Sequence, residues 1–214
     1  MNIIEINNLV YRVDSNTIID NVSLKISKGE YLTFIGPSGS GKSTLMKLIS
    51  DMISPTSGEI IFEGKNMDDY DPTEYRKKVS YAFQQPNLFG KTVRDNLEFP
   101  FELRNEKVDT EKIIDYLKLV NLDESYLEKN VTEVSGGERQ RVALLRNLLF
   151  TPEVIILDEV TAGLDTDNKQ IVHNLINQFN KDYKVTVLQI THDESEIDEA
   201  KKIINIVGGK IENE

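Results

Sequence analysis

The sequence predicts an α/β fold: a mostly parallel sheet, an antiparallel β segment at the N-terminal end, and a helical segment inserted into the α/β core. Three observations carry this. Tyr31-Leu32-Thr33-Phe34-Ile35 is aromatic and β-branched, as a buried strand should be. It runs into Gly36-Pro37-Ser38-Gly39-Ser40-Gly41-Lys42-Ser43-Thr44, after which Leu45, Met46, Leu48 and Ile49 recur at helical spacing. Val154-Ile155-Ile156-Leu157 is an unalternating apolar run, the pattern of a parallel strand covered on both faces, and Val185-Thr186-Val187-Leu188-Gln189-Ile190 is a second such strand after a helical stretch.

Taken in order, residues 3–11 and 22–26 read as strands. Val22, Leu24 and Ile26 alternate with polar residues, and Asp14-Ser15-Asn16 supplies the turn of an antiparallel pair. Ser54-Pro55-Thr56-Ser57-Gly58 breaks the helix after Thr44, Glu59-Ile60-Ile61-Phe62 resumes strand character, and Glu63-Gly64 ends it. Val79-Ser80-Tyr81-Ala82-Phe83 is a further strand, ending at Gln84. From about 88 to 150 helical spacing dominates, with Ile113, Ile114, Leu117 and Val120 on one apolar face behind Asp109 as N-cap. Residues 167–181 place Ile171, Leu175, Ile176 and Phe179 on one face, so strand, helix and strand imply a right-handed crossover. The expected organisation is one domain over 1–214: an α/β core from 1–87 and 151–214, and a helical subdomain at 88–150.

Composition narrows the function. The 214 residues are enough for a substantial core, and a hydrophobic content of 39% is ordinary for a globular chain. Residues 1–5 lack the basic start of a secretory signal, and no apolar run approaches the roughly 18 residues of a membrane span. A cytosolic protein is expected, brought to a membrane only by a partner. With no cysteine there is no disulfide or thiolate metal site, and His173 and His192 alone make no transition-metal cluster. The formal charge of −11 disfavours nucleic acid as a partner, so any polyanionic ligand must be captured by local donors.

Those local donors are in the glycine loop. Residues 36–43 match G-x-x-x-x-G-K-[ST] between a strand and a helix, the setting in which backbone N–H groups and a helix N-terminus cradle phosphates. Lys42 would reach the β- and γ-phosphates of a nucleotide and Ser43 would ligate Mg²⁺. Asp158-Glu159 follows the 154–157 strand, where ligands of open α/β sheets bind. Asp158 would hold Mg²⁺ and Glu159 would deprotonate the water that attacks the γ-phosphate. Ser135-Gly136-Gly137-Glu138 opens a helix carrying Val142, Leu145, Leu148 and Leu149. It reads either as a capping box or as a second phosphate site, and the latter suggests the ATP of another protomer.

The order of the glycine loop, Gln84, Ser135-Gly136-Gly137-Glu138, Asp158-Glu159, Ala162-Gly163-Leu164-Asp165 and His192 resembles the ATP-binding subunits of ABC transporters over essentially the whole chain. The resemblance implies a P-loop ABC ATPase with ATP and Mg²⁺ as cofactors, and a head-to-tail homodimer in which each ATP lies between one P-loop and the partner's Ser135-Gly136-Gly137. It also implies that Gln84 touches Mg²⁺ and the attacking water, that Asp165 lies in the loop crossing the dimer interface, and that His192 contacts the γ-phosphate. Tyr11 would stack on adenine, or is an ordinary strand aromatic. Gln84 is preferred over its neighbour Gln85 because the strand is placed as ending there. Val134, Glu138, Val160 and Ala162-Gly163 depart from the commonest residues of the family without removing a phosphate donor or a carboxylate, and Gly163 is expected to loosen its loop.

A narrower resemblance rests on Ile53-Ser54-Pro55-Thr56-Ser57-Gly58, Phe62-Glu63-Gly64, Leu88-Phe89-Gly90-Lys91-Thr92-Val93, Asp95-Asn96-Leu97, Phe99-Pro100, Arg104-Asn105 and Arg146-Asn147-Leu148. These are similar to the FetA-type group, which implies a polytopic membrane permease as partner, met through the helical subdomain and the segment after Gln84, with iron export as the transport. The chain would then sit peripherally on the cytoplasmic face of the membrane. The same engine moving a lipid, peptide or other ion is the alternative. A soluble ABC ATPase of DNA repair or translation is disfavoured, because the chain has no long coiled-coil insertion, zinc cysteines or tandem ATPase units.

Overall fold

The structure, a computed structural model, describes residues 1–212. In chain order it contains β1 (Asn2–Val13), β2 (Asn16–Ser27), β3 (Tyr31–Ile35), α1 (Lys42–Ile49), β4 (Ser57–Phe62), β5 (Lys65–Asn66), α2 (Pro72–Lys78), β6 (Val79–Ala82), α3 (Val93–Glu102) and α4 (Thr110–Leu119). There follow α5 (Gly136–Leu148), β7 (Val154–Asp158), α6 (Thr166–Tyr183), β8 (Thr186–Ile190), α7 (Glu194–Asp198), β9 (Ile203–Val207) and β10 (Lys210–Glu212). Two compact units result: residues 1–81, 153–159 and from 184 onward; and residues 82–152 with 160–183. The helical unit thus takes α6 as well as the stretch that the sequence places at 88–150.

The first unit holds two sheets. One is antiparallel, in the order β2-β1-β4-β5, and the other runs β10-β9-β3-β8-β7-β6. In the second, β3 pairs in parallel with β8 and β9, and β7 with β8, while β10 turns back antiparallel on β9. Residues 154–157 are buried and so is all of β8, which is why neither run alternates. Ile4, Leu9, Phe34, Leu45, Phe62, Tyr75, Ile156, Ile190 and Ile206 belong to one apolar cluster. Register matters for the site. Phe34 and Asp158 both lie opposite Ile190, so the carboxyl ends of β3, β7 and β8 sit level, and the loops leaving them start from one edge.

Five elements of this unit were not anticipated: α2, β5, α7, β9 and β10. Asp71 caps α2 by accepting from Thr73 and Glu74 N–H, with Pro72 at the first helical position. Tyr75 of α2 is fully buried and donates its hydroxyl to Ile49 O at 2.7 Å.

In the second unit, α3 opens with a capping box from Thr92 and Asp95, and Val93, Leu97 and Phe101 form its buried face. Asn96, fully buried between them, donates to Phe89 O and Thr92 O and accepts from Arg146 Nη1. Asp109 caps α4 as its sequence suggests, accepting from Lys112 N–H, and Ile113 and Leu117 are buried. Phe179 of α6 packs edge-on to Tyr116 of α4 at 5.9 Å. Among the described residues no helix is long and apolar enough to cross a membrane.

Candidate active site

The glycine loop leaves β3 at Gly36, whose φ is 138° and where a Cβ would lie 2.0 Å from Ile206 O. No other residue fits there. Gly209 N–H donates to Ser40 O at 2.9 Å, and Gly209 O in turn accepts from Asp20 N–H at 2.9 Å, so the turn between β9 and β10 braces the loop. Gly41 is the N-cap of α1, with no side-chain cap and no acidic residue in the first turn. The first N–H groups of α1 therefore remain for an anion.

Lys42 Nζ donates to Gly36 O at 2.7 Å and Pro37 O at 3.0 Å, two acceptors for three donors. Burial lowers its pKa, and Glu159 and then Asp158 pull it back up. Ser40 Oγ is buried without a hydrogen-bond partner among the described residues. A cleft of about 330 Å³ is lined by Ile18, residues 38–44, Glu159 and His192.

The acidic pair occupies the end of β7 as expected. Asp158 Oδ1 accepts from Ser43 Oγ at 3.1 Å and Oδ2 from the Tyr81 hydroxyl at 2.5 Å. Burial and the bond to Asp158 push the Tyr81 pKa up, so this hydroxyl stays a donor. Glu159 sits in the left-handed region at φ 52°, a strain of about 1–2 kcal/mol for a residue with a Cβ. Its N–H donates to Ile190 O at 3.1 Å, and its Oε1 lies 3.2 Å from His192 Nε2. Downstream of His192, Asp193 caps α7, and Glu196 of α7 accepts from the buried Gln189 of β8 at 2.6 Å. Gln189 accepts in turn from the Tyr31 hydroxyl of β3, whose pKa is raised by burial and then by Glu196.

Phosphates and Mg²⁺ fit what is present. Uncapped N–H groups, an unpartnered buried hydroxyl and an ammonium meet the need of phosphate oxygens. Among the described residues no group of three or more His, Cys, Asp or Glu can hold a metal. Magnesium asks for no such cage, since one or two protein oxygens plus substrate phosphates suffice, and Ser43 beside Asp158 supplies them.

Tyr11 is partly buried against the core on β1, opposite Ile19, and the cleft lining contains Ile18 instead. Ile18 and Tyr81 are the residues sequence reading passed over. For Tyr81 the sequence offers only a hydroxyl in a predicted strand, and it is the sheet order that sets this strand beside the one carrying Asp158.

In the helical unit, Ser135 and Glu138 form the reciprocal capping box at the start of α5. Both oxygens of the Glu138 carboxylate are engaged, one by Ser135 N–H at 2.7 Å and one by the Tyr126 hydroxyl at 2.5 Å. Gly136 is open, with nothing within 4 Å of where a Cβ would be, whereas a Cβ on Gly137 would meet the Asn168 amide at 2.7 Å. Asn168 is tied to Asp165 through its backbone N–H at 2.8 Å and its side chain at 2.7 Å, so Gly137 and Asp165 share Asn168 as a neighbour. Gly163 has φ 74°, which explains a glycine where alanine is usual. Gln84 and Gln85 are both exposed, just beyond β6, and His173 is half-buried on α6.

A P-loop at the level carboxyl ends of parallel strands, with Ser-Asp and Glu-His pairs beside it, defines a nucleoside-triphosphate hydrolase. Residues 19–162 match the ABC transporter family model. The chain is 43% identical over 204 residues, 95% of its length and 91% of the relative's, to the probable iron export ATP-binding protein FetA of Escherichia coli K12. It is 38% identical over 215 residues, 97% of its length and 80% of the relative's, to the energy-coupling factor transporter ATP-binding protein EcfA1 of Mycoplasmopsis synoviae. Among solved structures, the dimeric cassette MJ0796 in a post-hydrolysis state with ADP and Pi superposes with a TM-score of 0.87 at 30% identity, covering 98% of this chain and 97% of that one. The cbiO1 protein of Clostridium perfringens gives 0.86 at 26%, covering 99% and 87%. The chain belongs to the ABC transporter family, as one of its ATP-binding, ATP-hydrolysing subunits.

Proposed function

We propose that the chain hydrolyses Mg-ATP at sites completed by a second copy and couples closure of that dimer to a polytopic membrane subunit that exports a metal ion, iron. The observation that carries the catalytic half is the convergence of Lys42, the Ser43–Asp158 pair and the Glu159–His192 pair on the glycine loop and the edge beside it.

In this reading the N–H groups of residues 38–44 and Lys42 would hold the phosphates, and Ser43 and Asp158 would hold Mg²⁺. When bound, Mg²⁺ neutralises phosphate charge. Glu159 takes the proton of the attacking water, and His192, 3.2 Å away, orients that carboxylate and meets the γ-phosphate. Tyr11 supplies a ring for adenine. The partner's Ser135, Gly136, Gly137 and Glu138 close the site from the other side, with Asp165 at the interface. The dimeric state of MJ0796 supports that arrangement.

Docking on the membrane subunit is read onto the helical unit and the segment after Gln84, where Phe83, Phe89, Phe99 and Leu103 are exposed large apolar residues. The chain would thus be peripheral on the cytoplasmic face. Iron rests on the likeness to FetA, whereas the likeness to an energy-coupling factor subunit supports another cargo.

The test is to isolate the tagged chain from membranes of its own cell in mild detergent and identify its companions by mass spectrometry. One polytopic protein at equal stoichiometry is expected, followed by iron efflux that Glu159→Gln abolishes while ATP binding persists. Ribosomal or DNA-repair companions without a membrane protein would end the transport reading. Hydrolysis by Glu159→Gln at the wild-type rate would remove Glu159 as base.

A further inference from the structure

An aspartate does not hold its own carboxylate still. The terminal torsion of Asp is broad and roughly two-fold, so the plane of the Asp158 carboxylate is set by whatever donates to it. Two donors do so, from different elements and on different oxygens: Ser43 of α1 on Oδ1 at 3.1 Å and Tyr81 of β6 on Oδ2 at 2.5 Å. A carboxylate has about four lone-pair sites, so these two bonds leave acceptor capacity for a cation or its waters.

The two donors are not equivalent. Ser43 is itself placed to ligate the metal, so its hydroxyl must serve two partners, and it sits on the loop that the nucleotide fills. Tyr81 stands outside the cleft lining, and its ring packs against the core cluster of the first unit. Its strand lies next to β7 in the sheet. The phenol is therefore a fixed post, and the shorter of the two bonds comes from it.

We propose that Tyr81 is the positioning residue for the Mg²⁺-binding carboxylate, holding Asp158 in the orientation that accepts the cation beside Ser43. This rests on the Mg-ATP reading of the glycine loop. Tyr81 touches neither nucleotide nor metal; it acts through Asp158, as outer-shell hydrogen-bond donors orient metal ligands elsewhere.

The test uses the full chain as wild type, Tyr81→Phe, Asp158→Asn and the double variant. One readout is binding of a fluorescent, non-hydrolysable ATP analogue in EDTA. The other is Mn²⁺ binding to the analogue-loaded protein by electron paramagnetic resonance. Tyr81→Phe is expected to bind the metal-free analogue within about twofold of wild type and to need about tenfold more Mn²⁺. In the Asp158→Asn background it is expected to add nothing further. Hydrolysis at saturating Mg²⁺ should recover, since the ring and its packing remain. An unchanged Mn²⁺ affinity in Tyr81→Phe, an equal loss of metal-free analogue binding, or additive losses in the double variant would each overturn the proposal. If the wild type itself failed to bind the analogue, the Mg-ATP reading would fall first, and a normal wild type with a normal Tyr81→Phe would sink only the positioning role.

Discussion

Replacing Gly36 by alanine separates two reasons for a glycine that the loop motif runs together. At φ 138° an added Cβ would lie 2.0 Å from Ile206 O, 3.0 Å from Ile206 C and 3.1 Å from Ser40 Oγ. Restoring the 3.0 Å below which real Cβ contacts essentially never fall requires a retreat of 3.0 − 2.0 = 1.0 Å. Ile206 cannot retreat freely, because it is fully buried and its strand β9 pairs with β3, Asn205 opposite Ile35. The backbone conformation, which only glycine adopts freely, costs about 1–3 kcal/mol and the overpacking a further 1–3 kcal/mol. Gly64→Ala is the control: φ is 78° but nothing lies within 4 Å, so only a left-handed backbone cost of about 1–2 kcal/mol applies. Thermal unfolding should therefore place Gly36→Ala below Gly64→Ala by about 1–3 kcal/mol, roughly 2–12 °C for a chain of this size. Because Gly36 O also accepts from Lys42, its displacement should weaken ATP-analogue binding about tenfold or more, and Gly64→Ala should leave it intact. Equal melting temperatures for the two variants, or undiminished nucleotide affinity in Gly36→Ala, would refute the crowding argument.

Mixing Ser135→Arg with Lys42→Ala is expected to restore hydrolysis that each homodimer lacks, at about one competent site per mixed dimer. Homodimers that stay inactive when mixed, or full activity of the Ser135→Arg homodimer alone, would mean that a site is complete within one chain. The Glu138 carboxyl is held below its ordinary 4.5 by the Tyr126 hydroxyl and then by Ser135. A lowered folded-state pKa contributes stability above the unfolded value and loses it as pH falls through the folded one, so the α5 cap weakens below about pH 4.5. Glu138→Gln cannot titrate. The stability gap between wild type and this variant, measured by urea unfolding at several pH values, should narrow below pH 4.5, and a gap constant across that range would contradict the assignment.

What the sequence disclosed and what it hid divide by distance along the chain. The strand, glycine loop and α1 are contiguous, and so are β7 and Asp158-Glu159, so their chemistry was legible from spacing and local pattern. The capping-box reading of Ser135 and Glu138 was likewise local and is the geometry present. Asp71-Pro72-Thr73-Glu74 carried an equally local helix start that went unused. By contrast, β9 offers five residues whose partner is β3, 170 positions earlier, and nothing in its own pattern names that partner. Tyr81 and Asp158 meet across 77 residues, and the spacing of neither predicts the other.

The glycines show why this matters for function. Read locally, each exists to bare an N–H to phosphate. In the fold they differ: Gly39 has nothing within 4 Å of a Cβ and keeps only its φ of 77° and the approach of a ligand as reasons, while Gly36 and Gly41 are also crowded by Ile206 O and by Ile18 O with the Ile19 side chain. Two positions of the loop are thus dictated by long-range packing against β2 and β9, and the shape that receives the nucleotide is set partly by β9, which contributes nothing to the cleft lining.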